Sequence, residues 1–252
     1  MDALELIALV VWAFAVSVLG GVVGLVLGNL RLPLVVLLAS SPAAGAGANV
    51  AISGAAAVAS AGTHARARRV NWRLFAWMAP PSLVGGIVGG VVSGLLPDRL
   101  LLAAIGLVVL YGAFEVLRYR RPTEIERAGT SQTHLISAGV VGFAVGVLGG
   151  FVGLILGSLR LPAMVRWVGV GPYAAVGTNA AVGVVVGVGG LVGHLPSGID
   201  WDLFAVGTAA AVPGAYIGSK LTGRLSEEAL LRAMAAILIV TGLAMIAQAI
   251  LE

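Results

Sequence analysis

The sequence predicts an all-α, polytopic integral membrane protein built from two inverted repeats, each with membrane-spanning helices and a broken, re-entrant helix pair. Three observations carry that prediction. Of 252 residues, 59% are apolar and only 10% are charged, with a mean hydropathy of +1.05, whereas a soluble domain carries about 25% charge. Such a chain cannot cover a water-facing surface; its solvent is lipid. The second observation is an internal repeat, and the third is the placement of basic residues in its loops.

Composition already excludes several classes: a cytosolic enzyme, a disordered tail and a fibrous repeat. A net charge of +4 and a pI near 10.1 would suit a nucleic-acid partner in a soluble chain. Here the Lys and Arg residues sit in short loops between apolar spans, so they set orientation in the membrane and no nucleic acid is expected. Without cysteine there is no disulfide, no thiolate nucleophile and no Cys metal site. No His/Asp/Glu cluster has metal or catalytic spacing, so neither metal nor cofactor is expected and an intramembrane enzyme is a weak alternative. The start, Met1-Asp2-Ala3-Leu4-Glu5, is acidic where a signal peptide would be basic, and reads as a retained first span.

The repeat is explicit. Residues 19–33 (LGGVVGLVLGNLRLP) and 148–162 (LGGFVGLILGSLRLP) agree at 12 of 15 positions at an offset of 129. The match continues through SPAAGAGAN (41–49) and GPYAAVGTN (171–179), then His64 and His194, then NWRLF (71–75) and DWDLF (200–204), and ends on Gly85, Gly89 and Gly94 against Gly214, Gly218 and Gly223. The organisation is therefore a first half over 1–117, a polar linker over 118–133 (RYRRPTEIERAGTSQT) and a second half over 134–252.

Spans of roughly 20 apolar residues are expected at 4–28, 74–96 and 100–117. The piece 32–61 differs: Pro33 opens it, Ser40-Ser41-Pro42 breaks it after eight apolar residues, and a Gly/Ala run finishes it. Eight residues at ~1.5 Å each cannot cross. This reads as a half-helix that enters, turns within the protein and leaves through a second leg, with Pro33, Pro42, Pro162 and Pro172 as the helix-breaking residues; a single kinked helix is the alternative.

Loop charge decides between them. A re-entrant pair inverts the second half and, with the N-terminus outside, puts Arg66, Arg68, Arg69, Arg73, Arg118, Arg120, Arg121, Arg127, Lys220, Arg224 and Arg232 inside against Arg99 alone outside. A single crossing would move Lys220, Arg224 and Arg232 outside. The loop 64–73 carries four arginines, while its repeat partner 194–202 carries two aspartates and no Lys or Arg. Equivalent loops of opposite charge are expected on opposite faces.

Ionisable residues within apolar spans are the functional candidates, since Arg at bilayer depth costs about 2.5–3.5 kcal/mol on insertion scales. Arg31 and Arg160, both in an LRLP context, stand two residues before the prolines. An inverted repeat brings equivalent positions near a break together around its pseudo-two-fold axis, so both guanidiniums would face one cavity and coordinate an anion; snorkelling to separate interfaces is the alternative. All eleven acids fall in or near loops and termini, which disfavours a cation path. Asn49 with Gly47, and Asn179 with Gly177 and Thr178, would donate to an oxyanion together with a half-helix N-terminus, or Asn would merely cap the helix. His64 and His194 are candidates for protonation or gating, though each reads more simply as an interfacial histidine. Trp72 and Trp201 belong to the aromatic belt, and Gly85–Gly86, Gly89–Gly90, Gly214 and Gly218 are small-xxx-small packing faces.

These motifs resemble the sulfite exporter TauE/SafE family over nearly the whole chain: paired halves, a glycine-rich span running into Pro33 or Pro162, an AVGTN block at 175–179, [ND]-W loops at 70–72 and 199–201, and LPDRL or LSEEAL helix starts. The resemblance implies a multi-pass permease of the cytoplasmic membrane for sulfite, organosulfonates or related oxyanions. Val26-Leu27-Gly28 and Ile155-Leu156-Gly157 depart from the family's three adjacent glycines, and Gly47-Ala48-Asn49 from its G-T-[SN], so the substrate is not carried over. The expected partners are a small anion and the lipid bilayer, with a homodimer left open, and the expected mechanism is alternating access. An anion channel and a non-transporting scaffold are the alternatives.

Overall fold

The computed structural model describes residues 3–91, 98–118, 132–152, 155–166, 168–195 and 198–251, and every element among them is a helix. In the first half these are α1 (Ala3–Val23), α2 (Gly28–Leu38), α3 (Pro42–Arg66), α4 (Trp72–Val91) and α5 (Asp98–Leu117). The second half repeats them as α6 (Gln132–Val152), α7 (Gly157–Arg166), α8 (Pro172–His194), α9 (Trp201–Thr222) and α10 (Glu227–Leu251). Among the described residues four stretches are long and apolar enough to cross a membrane: Ala3–Val23, Ala44–Arg66, Pro172–His194 and Glu227–Ile250. Most of the polar linker lies outside the described residues.

The first expected span ends earlier than its hydropathy suggests. Helix α1 stops at Val23, the chain turns through Gly24 at φ +64, and α2 begins at Gly28. A side chain at Gly24 would meet the Val176 carbonyl as well as a disfavoured φ. The eleven residues of α2 rise about 16 Å, half of a ~30 Å hydrocarbon layer.

Pro33 and Pro162 lie inside α2 and α7, each the sixth residue, and do not open them. As sixth residues they lie just past the first turn, so each removes one i→i−4 bond and presses its ring toward the carbonyl of residue i−4, Asn29 or Ser158. The helices that do open on proline are α3 and α8, at Pro42 and Pro172, where the missing N–H has no partner to lose. Ser41 caps α3, its Oγ accepting from Ala44 N–H at 3.2 Å.

Glycine sets the packing. On α9, Gly214 and Gly218 lie against the backbone of α1 at Phe14 and Val18; in the equivalent place Gly85 of α4 lies against Phe143 and Val147 of α6. Exchanging the halves maps one pair onto the other, and the same exchange maps α3–α9 onto α4–α8. Helices α3 and α8, equivalent to each other, meet directly. Gly47 meets His194, Val50 meets Gly190, Gly54 meets Gly187 and Ala57 meets Gly183, so one sequence descends as the other climbs. These two helices run antiparallel. At their crossing a Cβ on Gly187 would come 2.7 Å from Gly54 Cα, the close approach small residues permit in membranes.

The [ND]-W motifs act as caps. Asn71 Oδ1 accepts from Leu74 N–H at 3.0 Å and Asp200 Oδ1 from Leu203 N–H at 3.2 Å, starting α4 and α9 alike. Trp72 and Trp201, more than half exposed, stack edge-on against Phe75 and Phe204.

Candidate functional site

Arg31 sits in the first turn of α2 and Arg160 in the first turn of α7, where the chain restarts within the bundle. Both are fully buried, 2% and 1% exposed. Neither snorkels, and among the described residues neither forms an ion pair. What holds each is a knot of three residues. Arg31 Nε donates to Asn49 Oδ1 at 3.0 Å, and the Asn49 amide donates to the Gly28 carbonyl at 3.1 Å. In the second half Arg160 Nε donates to Asn179 Oδ1 at 3.1 Å, and the Asn179 amide donates to the Gly24 carbonyl at 2.8 Å. Gly28 and Gly157 are there because a Cβ would press on the asparagine amides, at 3.2 and 2.9 Å.

The knots are joined by one loop. Gly24 receives Asn179 of the other half and Gly28 receives Asn49 of its own, so four residue steps separate them. Extended chain covers at most about 3.6 Å per residue, which keeps the two carbonyls within about 15 Å. Asn49 and Asn179 lie well inside α3 and α8, two turns past the prolines. Their side chains therefore hold guanidiniums and do not cap helices.

Besides the carbonyl that each asparagine reaches, the knots differ in one side chain. Ser53, a turn beyond Asn49, accepts from Arg31 Nη2 at 2.7 Å, and the same nitrogen reaches the Asn49 carbonyl at 3.2 Å. At the position equivalent to Ser53, α8 has Gly183, and Arg160 Nη2 is buried with no partner. A hydrogen bond to a charged group contributes about 1.5–3 kcal/mol, and an unmet buried donor costs comparably. Arg160 Nη2 is thus a buried donor with unused capacity. A Cβ at Gly183 would stand 3.3 Å from Val26 and 3.6 Å from Ala57, so serine fits with little adjustment. Gly183→Ser is expected to raise Tm by several degrees and to weaken anion uptake severalfold, as the new hydroxyl takes Arg160 Nη2; thermal unfolding in detergent and vesicle uptake measure the two effects.

The other expected site residues take different places. Thr178 is buried and its Oγ1 accepts from the backbone N–H of Asn71 at 2.9 Å, tying the loop after α3 to α8. Gly177 makes room for the Arg69 carbonyl, and Gly47 for Gly198 and His194. These glycines seat the loop of the opposite half. His64 is fully buried, not interfacial as expected: both ring nitrogens lack a partner, and the Gly21 carbonyl beside the ring does not reach hydrogen-bond geometry. His194 is half-buried at the end of α8.

Ser53, Ser17 and Ser60 were not expected from the sequence. The signal for Ser53 and Ser60 is helical spacing, four and eleven residues after Asn49 on an otherwise Gly/Ala helix. Ser17, Arg31 and Ser60 line a small cavity of about 10 Å³ with Leu25, Val26, Leu27, Ala56 and Ala57. That is room for about one water. Arg160 does not line it.

A model of the sulfite exporter TauE/SafE family matches residues 9–245 of this chain. The chain belongs to that family. No match was found among curated proteins or among solved structures. Family membership, with helices apolar enough to cross a bilayer, makes this a multi-pass membrane protein of a transporter family rather than an enzyme family. Among the described residues no three His, Asp or Glu side chains group as metal ligands.

Proposed function

We propose that the protein is a cytoplasmic-membrane permease for small oxyanions, sulfite and organosulfonates first among them, working by alternating access of two inverted halves. The observation that carries it is the pair of fully buried guanidiniums unmatched by carboxylate, one with Nη2 unpartnered. A buried charge of this kind is stable only when something supplies the opposite charge. Arg31 and Arg160 neutralise the anion, Asn49 and Asn179 hold the guanidinium planes, and Thr178 holds the loop that lines the second half. The antiparallel course of the equivalent helices α3 and α8 supports inversion, because in a membrane it places the relating axis in the bilayer plane. The side with Arg66, Arg68, Arg69 and Arg73 is then cytoplasmic and the N-terminus is outside.

The test is uptake into proteoliposomes across sulfite, sulfate, sulfoacetate, carboxylates and amino acids. Sulfite or sulfonate flux well above protein-free vesicles is expected, with amino acids at background. Background flux for every anion would refute the permease and leave a scaffold.

A further inference from the structure

One face of α3 is polar from end to end. Asn49, Ser53, Ser60 and His64 follow one another at four, seven and four residues, which at 3.6 residues per turn confines them to an arc of about 60°. All four are at least nine-tenths buried. Helix α8 has Asn179, Gly183, Gly190 and His194 in the same places, so the second half keeps the two ends and lacks both hydroxyls. Across from this face stands Ser17 of α1, also nine-tenths buried. Ser17 Oγ, Ser60 Oγ and both His64 ring nitrogens have no hydrogen-bond partner. Four such polar atoms along one seam call for a polar partner, water or a solute.

The seam has two distinct ends. Inward, Ser17 and Ser60 line the cavity beside Arg31, whose Nε and Nη2 are committed to Asn49 and Ser53, leaving Nη1 outside those bonds. Outward, α3 passes His64 and runs into the four arginines of the loop 66–73, a positive mouth that concentrates anions. Neither α3 nor the part of α1 beyond Glu5 carries an acid. Helix α1 packs on α9 and only grazes α3, so the seam can separate with little loss of packing.

We infer that this seam is the path along which an oxyanion travels between the arginine-rich face and Arg31, and that the Ser17 and Ser60 hydroxyls with Arg31 form its innermost oxyanion subsite. The inference rests on the permease reading and adds to it a route, two ligands and a side. A sulfite or sulfonate group presents three acceptor oxygens, and two hydroxyls and a guanidinium present matching donors. Helix α8, with Gly183 and Gly190 in place of Ser53 and Ser60, lacks the hydroxyls of this route.

The absence of cysteine from these 252 residues permits a direct test. Ser17→Cys and Ser60→Cys are compared with Ala51→Cys, a buried position on the opposite face of α3, in phosphatidylcholine vesicles. The probe is 2-sulfonatoethyl methanethiosulfonate, itself a sulfonate. Ser17→Cys and Ser60→Cys are expected to react at least tenfold faster than Ala51→Cys, and added sulfite to slow them. The Ser17→Ala/Ser60→Ala double variant is expected to lose about tenfold in sulfite flux with Tm held. Intact wild-type flux with all three cysteines reacting equally slowly would overturn the seam alone. Fast labelling in a protein that moves no anion would overturn the permease reading, and the oxyanion assignment with it.

Discussion

Arg160→Gln should reduce anion flux by about ten- to a hundredfold and leave the protein folded, while Arg31→Gln should lose flux and stability together. The two arginines occupy equivalent positions, yet their partners predict different outcomes. Arg160 Nε is held by Asn179 but Nη2 is buried without a partner, so an arriving anion supplies the bond that the protein does not. One charge-assisted hydrogen bond contributes about 1.5–3 kcal/mol, and each 1.4 kcal/mol is tenfold in affinity. Removing the guanidinium also removes an insertion cost of about 2.5–3.5 kcal/mol, so Tm should hold or rise. Arg31 differs because its Nε and Nη2 bind Asn49 and Ser53. Glutamine cannot span those contacts, and α2 loses its hold on α3. Flux in vesicles and Tm in detergent separate the effects; wild-type flux in Arg160→Gln would sink the assignment.

What the sequence reveals about this fold depends on the kind of signal each feature leaves. The glycine ladders and the [ND]-W caps are local patterns; Gly85, Gly214 and Gly218 pack against backbone and Asn71 and Asp200 cap as their spacing implies, while the surroundings of Gly89 and Gly90 lie outside the description. The buried arginines stand out because charge inside an apolar run is costly. The end of α1 leaves no such mark. Leu25, Val26 and Leu27 are as apolar as the helix before them, and only Gly24, packed under the Val176 carbonyl, ends the span there. That contact comes from the other half, 152 residues away in sequence, and no window of hydropathy contains it. His64 misleads for a related reason: next to an arginine loop it reads as interfacial, but α1 and its neighbours close over it. Ser17 and Ser60 are single hydroxyls in small-residue helices, and only the third dimension sets them around Arg31.

Cysteines at Ala67 and Asp202 should be modified from opposite sides of the membrane, an all-or-none difference. Both positions are exposed, and they occupy the loop after α3 and the start of α9, just past the equivalent loop after α8. If the halves were parallel, these two sites would share a side. Along the α3–α8 contact, however, Gly47 near the start of α3 lies against His194 and Gly198 at the end of α8. At the other extreme, Gly177 near the start of α8 lies against Arg69, past the end of α3. Each helix begins where the other finishes. Two further contacts fix the same face, since Asp200 N–H donates to the Ala44 carbonyl and Ser40 N–H to Asp200 Oδ2, both at 3.2 Å. An impermeant thiol reagent added outside intact cells should therefore reach the cysteine at 202 and spare the one at 67, which becomes reactive only after permeabilisation. Charge agrees with geometry, because four arginines mark the loop at 67 and two aspartates the loop at 202. Equal labelling of both from outside would mean that α3 and α8 do not both cross the bilayer, and the permease would then need a different architecture.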